Sequence, residues 1–568
     1  MTTTKVSIGS RTTTVDTETP ASSSGSGPLY VVTFGTTPSG IAVGDMGFMD
    51  TEDAASGGNP SDYEFVVTAI SGANITLKYL RDTGSKGDHS PLGLYTGAGS
   101  SGSPTQAAMV FKRHGLPTSS ADGAAPSYVV TFSDAGPPAD SDVGDIAFVT
   151  SEEASSNYEY LITAIDLSAK TVTMKYVQDS AAAGDASPYG MINSNTTQAV
   201  IEFRRAFSTI VFFEAMVDDA SPIYWGSSDD VVGECYGDAD FTDATVSFTQ
   251  KQSLASVKLT AADKEGNRHD GTASGTGGGK VLLRPTTSSG HSQGIFRVGI
   301  DSMTIEWIEI DMSELDSTNT NKAVVLTGTN DDFILRNMLI HDKYGDPGTA
   351  GPHLIHVIGA GASTDTLTIQ NNIIYDIVET GNDSTIAINV NQWAGISNIY
   401  NNTIYKLTSA GSGKATAGIV CGNVSSSVSN IKNNIVSLLA STAGGTQNRA
   451  YWKTGSGSTN IDTANNLSDD TTHATYNAED MAQSLDDTSG LIGKTLAEIS
   501  FVSTSPVDLH IDTDSDCIEA GVDLGTTNEV NIDIDGVDRD ATGVTWDIGA
   551  DQASVSDAGS PAFMMFLD

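Results

Sequence analysis

Ile369-Gln370-Asn371-Asn372-Ile373-Ile374-Tyr375 is followed by Ile399-Tyr400-Asn401-Asn402-Thr403-Ile404-Tyr405 and then by Ile431-Lys432-Asn433-Asn434-Ile435-Val436-Ser437. Related segments flank the three. Thr304-Ile305-Glu306-Trp307-Ile308-Glu309-Ile310 and Leu335-Arg336-Asn337-Met338-Leu339-Ile340-His341 precede them, and Ile461 with Asn465-Asn466-Leu467 follows. The leading aliphatics recur every 30 to 34 residues. A fixed period of this size marks a solenoid.

The repeated runs are short and rich in Ile, Val, Thr and Tyr, which favours strands. Gly, Ser, Thr, Asn and Asp lie between them as turn formers. A second apolar run falls inside each period, at Ala323-Val324-Val325-Leu326, Leu354-Ile355-His356-Val357-Ile358, Thr385-Ile386-Ala387-Ile388 and Ala417-Gly418-Ile419-Val420. Each period thus holds at least two strands, as one coil of a parallel β-helix requires. No stretch of 10–15 residues with helical periodicity is present, as a helical repeat would need.

Asn337, Asn371, Asn401 and Asn433 stand two residues after the leading aliphatic, and Asn372, Asn402 and Asn434 follow in three coils. Asn tolerates the left-handed bend of a sharp corner. Stacked coil on coil, its amide can bond along the axis as in a cross-β ladder. The expected ladder is therefore Asn337, Asn371, Asn401 and Asn433, starting after Trp307. Residues 235–552 at this period predict about ten coils, roughly 50 Å of stacked strands.

The chain has 568 residues, 71 acidic against 28 basic, and a net charge of −43. That balance argues against nucleic acid and anionic membrane as partners. Cys235, Cys421 and Cys517 lie too far apart in sequence for a disulfide framework or a metal motif. They read as buried apolar residues. Met1-Thr2-Thr3-Thr4-Lys5 lacks the apolar core of a signal peptide, which predicts synthesis in a host cytoplasm.

Residues 1–28, rich in Thr, Ser and Gly, read as a flexible arm. A tandem duplication follows. Tyr30-Val31-Val32-Thr33-Phe34 recurs as Tyr128-Val129-Val130-Thr131-Phe132, Val43-Gly44-Asp45 as Val143-Gly144-Asp145, and Tyr63-Glu64-Phe65 as Tyr158-Glu159-Tyr160. Phe111-Lys112-Arg113 matches Phe203-Arg204-Arg205. The expected fold class is all-β: a parallel β-helix preceded by two small β-barrel or sandwich modules, at 29–114 and 127–206. The stretch between them reads as a linker. Residues 207–234 form a capping segment, with a helix begun by Ser208 and stopped at Pro222. A second helix is expected at 478–485. Residues 553–568 form an apolar tail ending Phe563-Met564-Met565-Phe566-Leu567.

Near the C-terminus stand Asp508-Leu509-His510, Cys517-Ile518-Glu519-Ala520-Gly521, Asp533-Ile534-Asp535-Gly536 and Asp547-Ile548-Gly549-Ala550-Asp551. This series resembles the closing segment of a group of right-handed, tailspike-like β-helix proteins from phages and bacterial surfaces, written DxHL, SPCIDAG, DIDG, R and DIGAxE. The resemblance covers roughly 500–552, and Glu234-Cys235-Tyr236 resembles the entry of phage members. This chain departs from the pattern at Ser515-Asp516, where Ser-Pro is usual, and at Gln552, where Glu is usual. The resemblance implies a right-handed β-helix in a surface or virion context and implies no activity.

Asn531, Asp533 and Asp535, with Gly536 for the turn, match the first half of a calcium loop, and Asp538 is a substitute for the missing Glu. This is a candidate site for structural calcium; Asp512, Asp514 and Asp516 are a weaker one. No other cofactor is expected. Glu306, Glu309, Asp331, Asp332, Asp342, Asp376 and Glu379 are the carboxylates placed for glycosidic chemistry, but no pectinase-type signature accompanies them. No catalytic residue is assigned, and His341 and His356 read as surface or corner residues.

The expected function is a phage virion structural protein, a capsid decoration, fibre or tail spike. Its modules attach to other virion proteins, and its β-helix binds host surface polysaccharide, with trimerisation as one possible assembly. The alternatives are a polysaccharide depolymerase on the same scaffold and a bacterial surface adhesin.

Overall fold

The structure is a computed structural model. It describes residues 2–553 apart from 11–13, 52–60, 83–89, 93–94, 97–104, 116, 122–126, 133–134, 152–155, 181–183, 186, 189–199, 220–222, 244, 265, 276–278, 287–293, 316–321, 328–331, 346–352, 360, 382–383, 411–413, 423–426, 442–447, 455–459, 470–488 and 543–544. The apolar tail, the expected helix at 478–485, Asp331 and Pro222 lie outside the described residues. The chain divides into two units: residues 4–208 with 221–226, and residues 1–3 with 209–220 and 227–568.

The second unit is a parallel β-solenoid with three faces. Face I includes Ser256–Ala261, Met303–Glu306, Phe333–Arg336, Thr366–Gln370, Ile396–Tyr400, Val428–Lys432 and Asn460–Ala464. Face II, which follows the Asn corner, runs from Leu282–Leu283 through Leu339–Tyr344, Ile373–Glu379, Thr403–Ser409 and Ile435–Ser441 to Leu491–Ile492. Face III runs from Val246–Phe248 through His353–Val357, Thr385–Asn389 and Thr416–Cys421 to Asn448–Lys453. Pairing is in register, so Leu335, Ile369, Ile399 and Ile431 stack as one column. Each coil thereby buries its aliphatics on its neighbours, the condition for stacking in a solenoid.

Six successive corners from face I to face II each carry a left-handed residue at the same position. Trp307, Asn337, Asn371, Asn401, Asn433 and Asn465 have φ between 51° and 60°. Trp307 therefore does not interrupt the corner; it adopts the same bend, with its ring against the Arg268 guanidinium.

The helix Ile210–Val217 covers the first strand of face III. Ile210, Phe213 and Val217 share its buried side, and Phe213 meets Phe248 edge-on at 6.2 Å. Its N-cap is Thr209, whose hydroxyl accepts from the Phe212 amide, one residue beyond the expected Ser208.

The coils stop earlier than the sequence suggested. After Leu491–Ile492 the chain makes a short helix, Leu496–Ile499, a hairpin of Phe501–Thr504 with Val507–Ile511, and a run of tight turns. These residues lie on face II. Leu339, Ile373, Tyr375, Tyr405, Ile435 and Leu467 form one core with Ile499, Phe501, Leu509, Cys517, Ile534 and Ile548. The reason is apolar surface: the face II side chains that point away from the solenoid interior are themselves aliphatic and aromatic, and must be covered.

The first unit holds the two modules, and they share one topology. The sheet order in the first is Thr14–Glu18, Met109–Lys112, Met46–Thr51, Ser61–Ser71, Asn74–Asp82, Leu29–Phe34, Pro20–Ser26. In the second it is His114–Gly115, Ile201–Arg204, Ile146–Ser151, Ser156–Asp166, Thr171–Asp179, Ser127–Phe132, Pro117–Ala121. Each is a seven-stranded antiparallel sheet around one core, with no pairing between its two edge strands among the described residues. The flexible arm and the linker are corrected accordingly. Pro20–Ser26 pairs with Leu29–Phe34, and Pro117–Ala121 with Ser127–Phe132. Both stretches are edge strands of the repeat.

Gly44 and Gly144 both have φ +99°, and both bring backbone close to a neighbouring element. A Cβ on Gly44 would lie 2.4 Å from the Pro137 carbonyl oxygen of the second module. Beside it the Ala139 amide donates to Val43 O, and Arg113 pairs with Asp140 at 2.5 Å. Gly44→Ala is expected to cost about 2 kcal/mol or more, from strain and overlap together. Gly72→Ala, also left-handed but with nothing within 4 Å, is expected to cost only about 1 kcal/mol. Urea unfolding of the two variants checks the difference.

Candidate functional site

Several buried ionisable side chains of the solenoid lie under and beside the closing residues, on the corner and on face II. The corner column comes first. Asn337 Nδ2 donates to Asp533 O at 2.5 Å, Asn371 to Ile532 O at 2.6 Å, Asn401 to Val530 O at 3.3 Å, Asn433 to Val522 O at 2.8 Å and Asn465 to Ala520 O at 2.7 Å. The four predicted ladder residues thus grip a strap, residues 520–533, that runs along the solenoid axis against the direction of coil stacking. The ladder itself stands one residue later. Asn372 Nδ2 donates to Asn402 Oδ1 at 2.9 Å, Asn402 to Asn434 at 2.9 Å and Asn434 to Asn466 at 3.0 Å. Each Oδ1 also accepts the backbone amide of the preceding coil. The left-handed residue resets the alternation of side chains, so the first Asn points out to the strap and the second points in.

Beside the corner, Glu306 is 1% exposed and pairs with Lys258 and Arg336, each at 2.5 Å. Burial raises its carboxyl, and the two cations outweigh this and hold it below the usual range. Arg336 and Gln370 both donate to Asn528 O on the strap.

On face II, His341 is buried, not a surface residue as expected. Its Nε2 lies 2.9 Å from Glu309 Oε1 and its Nδ1 2.9 Å from Asp342 Oδ2. Its ring stacks on Tyr375 at 5.2 Å and 7°. Glu309 also accepts the Ser274 amide. Burial pulls the imidazole down, but the hydrogen bonds and charges of Asp342 and Glu309 prevail and raise it to about 9. His341 thus bridges Glu309 and Asp342 through its two ring nitrogens. Asp311, in the same column, accepts from Arg284 at 2.6 Å.

This sets a pH dependence. A histidine raised on folding stabilises fully below its unfolded value near 6.5, and the contribution disappears as pH rises through about 9. The loss amounts to about 3 kcal/mol between pH 6 and 10. Melting temperature across that range should fall for the native chain, and the fall should flatten in His341→Gln.

The other acidic candidates do not converge on a shared cleft. Asp376 pairs with Lys406 at 2.6 Å. Glu379 accepts the Gly381 amide at 2.5 Å and lies 3.8 Å from Lys343. Asp332 sits at a left-handed bend. Asp342 and Asp376 occupy equivalent left-handed positions on adjacent coils of face II. His356, half-buried, lies beside the ring of His353 at 4.5 Å; burial holds it down to about 3.

The calcium-loop residues do not form a cage of oxygens. Asp533 Oδ1 accepts the Asp535 and Val537 amides, and its Oδ2 accepts the Gln552 amide. Burial raises its carboxyl to about 6. Asn531 turns its amide nitrogen to Asp538 Oδ1 at 2.8 Å, a donor where a cation ligand needs an acceptor. Asp535 faces His510 instead, at 3.1 Å. Of the weaker set, Asp516 pairs with Lys494 at 2.5 Å. The turn is explained by its own hydrogen bonds.

Arg539, the arginine of the resembled pattern, was not among the candidate site residues. It is fully buried and donates to the carbonyls of Asp547, Gly549 and Asp551 and to Gln552 Oε1. Gln552, where the resemblance expects Glu, also accepts the Asp547 amide. A neutral amide suffices here because Asp533, Asp547 and Asp551 already surround the guanidinium with negative charge.

Searches against family models, curated proteins and solved structures find no match. Cys235, Cys421 and Cys517 are buried free thiols. No helix among the described residues is long and apolar enough to cross a membrane.

Proposed function

We propose that this chain is a structural protein of a phage virion surface, a capsid decoration, fibre or tail spike. In this reading the twin modules attach to other virion proteins and the solenoid offers a face to host surface polysaccharide. The observation that carries the reading is the duplication. Two sheets of the same strand order, with the same Val-Gly-Asp elbow at the same φ, suit a partner that is itself repetitive. Two linked contacts raise avidity without new chemistry. The buried carboxylates support a binding role over a catalytic one, because Glu306, Glu309 and Asp311 are neutralised by cations or histidine. Mass spectrometry of purified particles tests the proposal. The chain is expected among the major virion proteins, and its absence would overturn the reading.

A depolymerase on the same scaffold is the second reading, favoured by one observation: Asp342 and Asp376 stand at equivalent positions on neighbouring coils, and strands spaced about 4.8 Å apart suit the shorter carboxyl separation of glycosidases, about 5 Å. Incubating the chain with host capsular polysaccharide separates the two. Binding without new reducing or unsaturated ends supports the first. Chain cleavage abolished by Asp342→Asn and Asp376→Asn supports the second.

A further inference from the structure

We propose that His510, Asp535 and Asp551 bind one divalent transition-metal ion, and that this ion ties together three separate parts of the closing residues. Among the described residues, only two groups of histidine and carboxylate side chains bring their ligand atoms within 4.8 Å of one another. In the group of Asp311, His341 and Asp342, Arg284 already supplies a cation, at 2.6 Å from Asp311. The group of His510, Asp535 and Asp551 has no Lys or Arg paired to its side-chain atoms among the ion pairs of the described residues.

The imidazole is oriented as a ligand should be. Asp508 Oδ1 lies 2.5 Å from His510 Nδ1, the carboxylate–histidine arrangement that fixes the tautomer and presents Nε2 to a metal. Nε2 then faces Asp535 Oδ1 at 3.1 Å. Two ligands each about 2.1 Å from an ion lie about 3.0 Å apart at right angles and about 3.4 Å apart in a tetrahedron. The observed separation therefore accommodates an ion with little movement. Asp551 completes the set; its Oδ2 is anchored by the Ile511 amide at 2.8 Å.

Two further observations favour a cation. Asp508, Asp535 and Asp551 bring three carboxylates to one imidazole, so protonating the ring leaves negative charge uncompensated. Arg539 donates to Asp551 at its backbone carbonyl and offsets this only in part. Gly271 also lies beside the Nε2 edge of the ring: a Cβ there would lie 2.9 Å from Nε2, so a larger residue would crowd the liganding atom.

One nitrogen and two carboxylates form a borderline donor set, suited to Zn²⁺, Co²⁺ or Mn²⁺ and unlike the all-oxygen shells of Ca²⁺ and Mg²⁺. The ligands come from the strand Val507–Ile511, the turn at 533–536 and the run at 547–551. The ion thus cross-links segments about 40 residues apart.

The test uses the full chain, stripped with EDTA, dialysed and titrated with Zn²⁺. Calorimetry is expected to give one equivalent bound, and the melting temperature to rise. Co²⁺ is expected to give visible absorption bands. His510→Gln, with its fold checked by circular dichroism, should lose the site. Asp535→Asn serves if that variant does not fold. Asp508→Asn should bind about 10–100-fold more weakly, and Asp538→Asn, from the calcium-like turn, should bind as the native chain does. Failure of the native chain to bind Zn²⁺ stoichiometrically would overturn the proposal, as would full binding by folded His510→Gln or Asp535→Asn.

Discussion

Arg539→Met will release the closing residues from face II while leaving the coils folded. The guanidinium is fully buried and holds three backbone carbonyls and the Gln552 side chain. Its removal strands those acceptors and leaves Asp533, Asp547 and Asp551 without a buried counter-charge. Breaking a buried charge cluster from one side costs about 3–5 kcal/mol. Stability in a solenoid is close to a sum of neighbour terms, so the damage stays local. Hydrogen exchange checks this directly. The amides of Ile511, Glu519 and Ala553, which donate to the Asp551 and Asp547 carboxylates, should lose protection. The Asn372, Asn402 and Asn434 amides should keep theirs. Arg539→Lys should restore little, because one ammonium cannot reproduce a planar fork of donors.

Asn402→Ala will be the most damaging single change inside the coils. Asn402 is fully buried, donates to Asn434 Oδ1 and Ile369 O, and accepts from Asn372 at both the side chain and the backbone. Truncation removes four hydrogen bonds at once and strands the Asn372 backbone amide, while Asn434 Oδ1 keeps the backbone amide of residue 402 and Asn372 Nδ2 keeps Leu335 O. At about 1 kcal/mol for each lost bond and about 1–3 kcal/mol for the stranded amide, the total is expected to be about 4 kcal/mol. Asn401→Ala, one residue earlier, removes a single 3.3 Å bond to Val530 O and places Ala at φ 53°. It is expected to cost about 1–2 kcal/mol, and Asn401→Gly less still. Urea unfolding of the three variants ranks them; equal losses at 401 and 402 would contradict the assignment of the ladder to the second column.

That pair of residues also shows what the sequence could and could not deliver. The period, the faces and the corner were legible because aliphatics and asparagines recur at one spacing. Which Asn faces inward was not, since both suit a turn. The deciding signal lay in the two coils without a second Asn. Ile308 and Met338 occupy that position, and both are buried, so the position points into the core. The covering role of the closing residues was hidden by their resemblance to further coils. Tyr375, Tyr405 and Leu467, too apolar for a solvent face, were the available clue. The edge strands of the modules were masked by Ser and Gly content. Pro20-Ala21-Ser22-Ser23 against Pro117-Thr118-Ser119-Ser120 extends the duplication into both. The site residues were partly visible: Asp535 stood out in a calcium-like pattern, but its true neighbours, His510 and Asp551, come from sequence positions that no local motif connects.

The strap has a consequence for how the molecule is made. Coils emerge from the ribosome in order, yet the corner at Asn465 is met by residue 520, and the corner at Asn337, made almost two hundred residues before its partner, waits for residue 533. Clamping therefore runs backwards through the solenoid, from the coils translated last to those translated first. During synthesis the earliest corners keep their amides in water, and they are sealed only after every later turn is already in place.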